Sequence, residues 1–149
     1  MHIFVDSSVD HKKNKSVGCW VAVYDLERDL DVIAENIQHI FLQSNSSTSA
    51  ELETIKHILS NVTSNGKHQI NLYTDCSRLV KLYENKSFKK NNKNADIYKE
   101  LLDLFDELNV KVIKLKGHLK KELQIDKKQQ IFSLVDKRSR KMMREKNEN

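Results

Sequence analysis

The sequence predicts one α/β domain on a five-stranded mixed sheet, with helices on both faces. Three observations carry this. Three β-rich runs open the chain, joined by short polar breaks, as in an antiparallel meander. Two further apolar runs are each preceded by an amphipathic helical segment, as parallel crossovers require. The length of 149 residues is about one domain's worth, enough to bury a core without disulfides or structural metal. Residues 1–144 are expected to form the domain and 145–149 a frayed tail.

The elements follow in order. Ile3-Phe4-Val5-Asp6 reads as a buried strand, and the polar stretch 7–15 as a turn. Residues 18–24, Gly-Cys-Trp-Val-Ala-Val-Tyr, form the second strand. A charged turn covers 27–31, and Ile33, Ile37, Ile40 and Phe41 mark a third strand over 32–42. Thr48-x-x-Glu51 matches a capping box. Behind it Leu52, Ile55, Ile58, Leu59 and Val62 recur at helical spacing, so 49–62 is an amphipathic helix ended by Asn65-Gly66. The fourth strand is 70–75, and a short helix covers 77–84. A basic, Asn-rich loop spans 85–94. Ile97, Leu101, Leu104, Phe105 and Leu108 define a helix over 95–108. The fifth strand is 110–115, 116–128 is polar, and a last helix covers 129–143 with a basic outer face. Strands 1–3 are expected antiparallel and strands 1, 4 and 5 parallel.

Composition narrows the function classes. The net charge is +5, which favours polyanionic partners. Lysines cluster at Lys86, Lys89, Lys90 and Lys93, then around His118, and cations again follow Asp136; each cluster is equally consistent with a solvated surface. The two cysteines, Cys19 and Cys76, are far apart, which fits a reduced interior rather than a disulfide framework or zinc site. No apolar run approaches the roughly 18 residues that span a bilayer, and no signal peptide is evident. A cytoplasmic protein without membrane contact is expected. The three glycines build no phosphate loop, and no Gly-x-Ser-x-Gly elbow supports a serine hydrolase.

Four carboxylates then stand out. Asp6 and Asp75 each end an apolar strand, and ligands of open α/β sheets bind outside the carboxyl ends of strands. Taken singly, such aspartates also start turns and cap helices. Glu51 suits the capping box, yet it shares a helical face with Ile55, Ile58 and Val62 and so tops the core-facing stripe. Asp136 sits beside the face marked by Ile131, Leu134 and Val135; a simple ion pair with Lys137 or Arg140 would also explain it. Clustered acids stay ionised only with a compensating cation, usually a divalent metal. In a basic chain, that points to metal-assisted chemistry on a phosphodiester. His118 opens a polar stretch and has the pKa range of a proton carrier.

These segments together resemble the type 1 ribonuclease H family over nearly the whole chain. The carriers are Ile3-Phe4-Val5-Asp6-Ser7-Ser8, Gly18-Cys19-Trp20-Val21-Ala22-Val23, Ala50-Glu51-Leu52, Tyr73-Thr74-Asp75-Cys76-Ser77, Lys116-Gly117-His118 and Val135-Asp136-Lys137-Arg138-Ser139-Arg140. The resemblance implies the ribonuclease H-like fold. It implies an endonuclease that cuts the RNA strand of RNA–DNA hybrids and leaves 5′-phosphate products. By it, Asp6, Glu51, Asp75 and Asp136 bind two Mg²⁺ ions, with Mn²⁺ as a substitute, and His118 assists proton transfer or product release. Ser7, Ser8, Thr48, Lys89 and Lys90 are the expected substrate contacts, and a monomer is expected.

Some positions depart from the family pattern. Ser7 replaces a glycine, Ser47-Thr48-Ser49 replaces an Asn-containing lead-in to Glu51, Arg138 replaces an apolar residue, and the gap from His118 to Asp136 is long. Two alternatives therefore stay open: a weak or inactive nucleic-acid binding module of this fold, and a nuclease of this fold acting on another substrate such as junction DNA.

Overall fold

The computed structural model describes residues 1–63, 66–117, 120–123 and 126–148, with 146–148 described by backbone alone. His118 lies outside the described residues. The strands are β1 (His2–Asp10), β2 (Lys15–Val23), β3 (Gln38–Leu42), β4 (Ile70–Thr74) and β5 (Val110–Lys114). The helices are α1 (Leu30–Glu35), α2 (Ser47–Ser60), α3 (Ser77–Asn85), α4 (Ala95–Glu107) and α5 (Lys127–Glu148), with a 3₁₀ turn at Lys121–Leu123. α5 thus carries its backbone past the Arg144 boundary read from sequence.

The sheet order is β3-β2-β1-β4-β5. β1, β2 and β3 pair antiparallel, and β1, β4 and β5 pair parallel. This is the mixed sheet the sequence predicts. Side chains alternate cleanly between its faces. Ile3, Val5, Ile70, Leu72, Val110 and Val112 pack with α2, α3 and α4 on one side. Phe4, Val17, Cys19, Val21 and Tyr73 pack with Ile33 of α1 and with Ile131, Phe132 and Val135 of α5 on the other. Helices cover both faces, and both cysteines are free. Among the described residues, no helix is long and apolar enough to cross a membrane.

Three local expectations are corrected. The stretch expected as one strand over 32–42 is divided: α1 takes Leu30–Glu35 and buries Ile33, and β3 begins only at Gln38. The turn expected over 7–15 shrinks to 11–14, because β1 keeps pairing with β2 as far as Asp10 opposite Lys15. Asn14 takes φ 50° in that turn, a conformation asparagine tolerates. The capping box at Thr48 does not form. Ser46 is the N-cap of α2, its hydroxyl accepting from the Ser49 amide at 3.0 Å.

One glycine sets how closely α2 approaches the sheet. A β-carbon on Gly18 of β2 would overlap the Thr54 side chain of α2. Thr54 is fully buried, its hydroxyl donating to the Ala50 carbonyl at 2.7 Å. Thr54 lies one helical turn after Glu51, so this contact also fixes how far Glu51 projects over the sheet. Gly18→Ala should therefore destabilise the fold by about 1–3 kcal/mol through overpacking, measured by urea denaturation; unchanged stability would show that α2 shifts freely.

Candidate active site

The site lies where β1 loses its parallel neighbour. β4 pairs with β1 only along His2–Phe4, so beyond Phe4 the chain of β1 borders an opening on that side. Asp6 is consequently mid-strand rather than the last strand residue, yet it still faces the sheet's carboxyl edge. Asp75 directly follows β4. This is the point at which the strand order reverses direction, where α/β sheets bind ligands.

A cavity of about 660 Å³ opens there, lined by Asp6, Glu51, Asp75 and Asp136 together with Ser7, Ser8 and Thr48. The structure thus brings all four predicted acids to one place, with three of the five predicted substrate contacts. Asp6, Glu51 and Asp75 each offer an oxygen within 4.8 Å of the others. Asp6, Glu51 and Asp136 are buried, and Asp75 is half-buried. Lys89 and Lys90 are exposed on the α3–α4 loop and do not line the cavity. Phe88 of that loop packs edge-on against Tyr98 at 5.6 Å.

The acids are held by groups from other elements and, for Asp136, also from its own helix. Glu51 accepts from the Ser7 hydroxyl of β1 at 2.9 Å on Oε2 and from the Thr74 hydroxyl of β4 at 2.8 Å on Oε1. Thr74 also accepts the Cys76 amide at 3.0 Å, which ties the β4–α3 corner to Glu51. Glu51 is therefore not capping its own helix. The inward-turned Ser7 side chain occupies the position where a glycine was expected. A β-carbon on Gly117 would overlap the Asp75 carboxylate, so this glycine leaves room for Asp75. Asp136 pairs with Arg140 at 2.7 Å, and its carbonyl accepts from Ser139, whose hydroxyl meets Ser8 at 2.9 Å. Ser8 thereby links β1 to α5. The ion pair weighed against a site role for Asp136 forms, and it forms inside the site.

Sequence reading missed Thr74, Ser139, Arg78 and Arg144 as site residues. Arg78, Arg140 and Arg144 also line the cavity. The Asp136–Arg140 spacing of four was the one legible signal among these. The Thr74 and Ser139 contacts cross between elements distant in sequence and leave no local pattern.

The electrostatics follow from burial of like charges. Burial pushes the Asp6 carboxyl well above the usual carboxylate range; Glu51, a hydrogen bond with Asp136, and the Asp75 charge push it further. Burial likewise raises Glu51 to about 7, opposed by the Thr74 and Ser7 hydroxyls and reinforced by Asp75. An all-oxygen set of acids held this close, with proton affinities raised for want of compensation, suits a hard divalent cation. Without a cation, burial and mutual repulsion favour proton uptake by Asp6 and Glu51. Both carboxyls bind protons more tightly folded than unfolded, so their stabilising effect is complete below the unfolded value and is lost as pH rises. For Glu51 that window runs from the ordinary 4.5 to about 7, an effect of roughly 3 kcal/mol at 1.36 kcal/mol per unit. In chelator, the melting temperature should fall between about pH 5 and about pH 8, and Glu51→Gln should flatten that fall. A melting temperature that rises over this range would contradict the burial account.

The comparisons with known proteins agree with the geometry. No curated protein sequence matches the chain. Among solved structures, it is similar to LC11-RNase H1, determined in complex with an RNA/DNA hybrid. That likeness has a TM-score of 0.63 at 8% identity and covers 78% of this chain and 85% of the other; it supports the shared fold. The RNase H family model matches residues 1–129, a span that includes Asp6, Glu51 and Asp75 and stops short of Asp136. With the greater part of its length matched, the chain belongs to the ribonuclease H family.

Proposed function

We propose that this protein is a divalent-metal-dependent endoribonuclease that hydrolyses the RNA strand of RNA–DNA hybrids and leaves 5′-phosphate ends. The observation that carries this reading is the convergence of Asp6, Glu51, Asp75 and Asp136 on one cavity wall. These four would hold Mg²⁺, as two ions, with Mn²⁺ able to replace it. When bound, such ions supply charge neutralisation at the phosphodiester and a more acidic water. The structurally similar LC11-RNase H1 was determined with an RNA/DNA hybrid, which supports the substrate class.

The chain's own groups do the positioning. Ser7 and Thr74 donate to both oxygens of Glu51 and fix its plane, so little reorganisation is needed when the substrate arrives. The Ser8–Ser139 contact holds the start of the Asp136 turn against β1. Ser7, Ser8 and Thr48 supply hydroxyls on the cavity wall suited to meeting ribose 2′-hydroxyls, the group that distinguishes RNA from DNA. Lys89 and Lys90, exposed on their loop, would meet backbone phosphates farther along the duplex. His118 is proposed to move a proton at the site. Its neighbour Gly117 lies against Asp75, which supports that role.

The test is cleavage of a labelled hybrid with Mg²⁺ or Mn²⁺, run beside matched RNA–RNA and DNA–DNA duplexes. Cutting confined to the RNA strand of the hybrid is expected. Asp75→Asn should lower the rate by at least about 100-fold, the scale of losing a charge-stabilising group, with no loss of folding. Salt-sensitive binding without product would instead identify a binding module, and cutting of junction DNA alone would reassign the substrate.

A further inference from the structure

Arg140 is in direct contact with one of the four acids. Its Nη2 donates to Asp136 Oδ2 at 2.7 Å across one turn of α5. The two ends of this pair differ sharply in exposure: the Asp136 side chain is 8% exposed and that of Arg140 is 49% exposed. The carboxylate is fixed in the wall, whereas the guanidinium reaches it from the solvent side. A half-exposed pair at this spacing is weak. Arg140 also lines the cavity, together with Arg78 of α3 and Arg144 of α5. Two further cations of α5 are directed elsewhere. Arg138 donates to the Ala34 carbonyl at 3.3 Å, and Lys127 to the Arg28 carbonyl at 2.7 Å.

We propose that Arg140 is an exchangeable cation: it neutralises Asp136 until a divalent ion takes that carboxylate, and the released guanidinium then binds a phosphate of the incoming nucleic acid. This rests on the nuclease reading above. A divalent ion shared among several carboxylates outcompetes a single half-exposed guanidinium for one of them. A guanidinium freed at the cavity mouth presents a planar fork that matches phosphate geometry, and Arg78 and Arg144 extend the same cationic rim. Metal loading and substrate capture are thereby coupled, because the ion's arrival is what frees Arg140.

The alternative is that Arg140 is a strut that positions Asp136 for the metal. The two roles predict opposite signs. If Arg140 competes with the ion, Arg140→Ala tightens Mg²⁺ binding, by about 3- to 10-fold for removal of one nearby positive charge. The same variant raises the hybrid concentration needed for half-maximal single-turnover cleavage by about 5- to 10-fold and lowers the salt slope by about one. Arg140→Lys keeps the charge and should leave Mg²⁺ affinity near wild type while recovering only part of the hybrid affinity. Mg²⁺ affinity is read by titration calorimetry without nucleic acid, on proteins checked for unchanged melting. Weaker or unchanged Mg²⁺ binding in Arg140→Ala overturns the exchange, as does unchanged half-saturation by hybrid. A wild type that binds no Mg²⁺ removes the proposal together with the nuclease reading. A wild type that binds Mg²⁺ and cuts hybrid, beside variants indistinguishable from it, overturns the proposal alone.

Discussion

Repulsion among largely buried acids held close together is the constraint around which this end of the molecule is built. Asp6, Glu51 and Asp75 come within 4.8 Å of one another, and Asp136 hydrogen-bonds to Asp6. Left to themselves, such groups would separate or take up protons. The fold prevents separation by carrying each acid on a different packed element: Asp6 on β1, Glu51 on α2, Asp75 at the end of β4 and Asp136 on α5. Each element is anchored by buried apolar side chains away from the site. The charge problem remains for a cation to solve.

The supporting contacts read as consequences of that constraint. Gly18 lets α2 come close enough for Glu51 to reach over the sheet. Ser7 and Thr74, from the two adjacent parallel strands, then hold both oxygens of Glu51. Ser8 and Ser139 join β1 to α5 beside Asp136. Gly117 leaves Asp75 its space. A sheet whose order reverses at β1 and β4 creates the opening, and hydroxyls rather than further charges organise its walls. The positive charge that does enter the cavity comes from Arg78, Arg140 and Arg144 at its rim.

Much of this was legible in the sequence, and the exceptions have physical causes. The strand and helix order from α2 onward follows from short apolar runs and helical spacing, because the strands there pack apolar side chains on both faces of the sheet and the helices each bury one face. α1 was hidden because six residues are too few to show a period, and Asp29 makes no side-chain cap bond that would announce a start. The length of β1 was misread because its apolar run stops at Asp6; pairing with β2 sustains the strand beyond that point without burying it fully. The four acids were legible as a set through their order and flanking residues. Their partners were not, since Ser7 to Glu51 and Ser8 to Ser139 are contacts that only tertiary packing creates. Lys89 and Lys90 illustrate the limit of charge counting: their cluster was plain in the sequence, but nothing local states which surface it serves.

Occupancy by a cation is what distinguishes a built site from a chance cluster of carboxylates. Anomalous diffraction from crystals soaked in Mn²⁺ tests it most directly. A peak is expected among Asp6, Glu51 and Asp75, with Glu51 still held by Ser7 and Thr74. The absence of a peak there, in crystals that bind Mn²⁺ elsewhere, would contradict a built site.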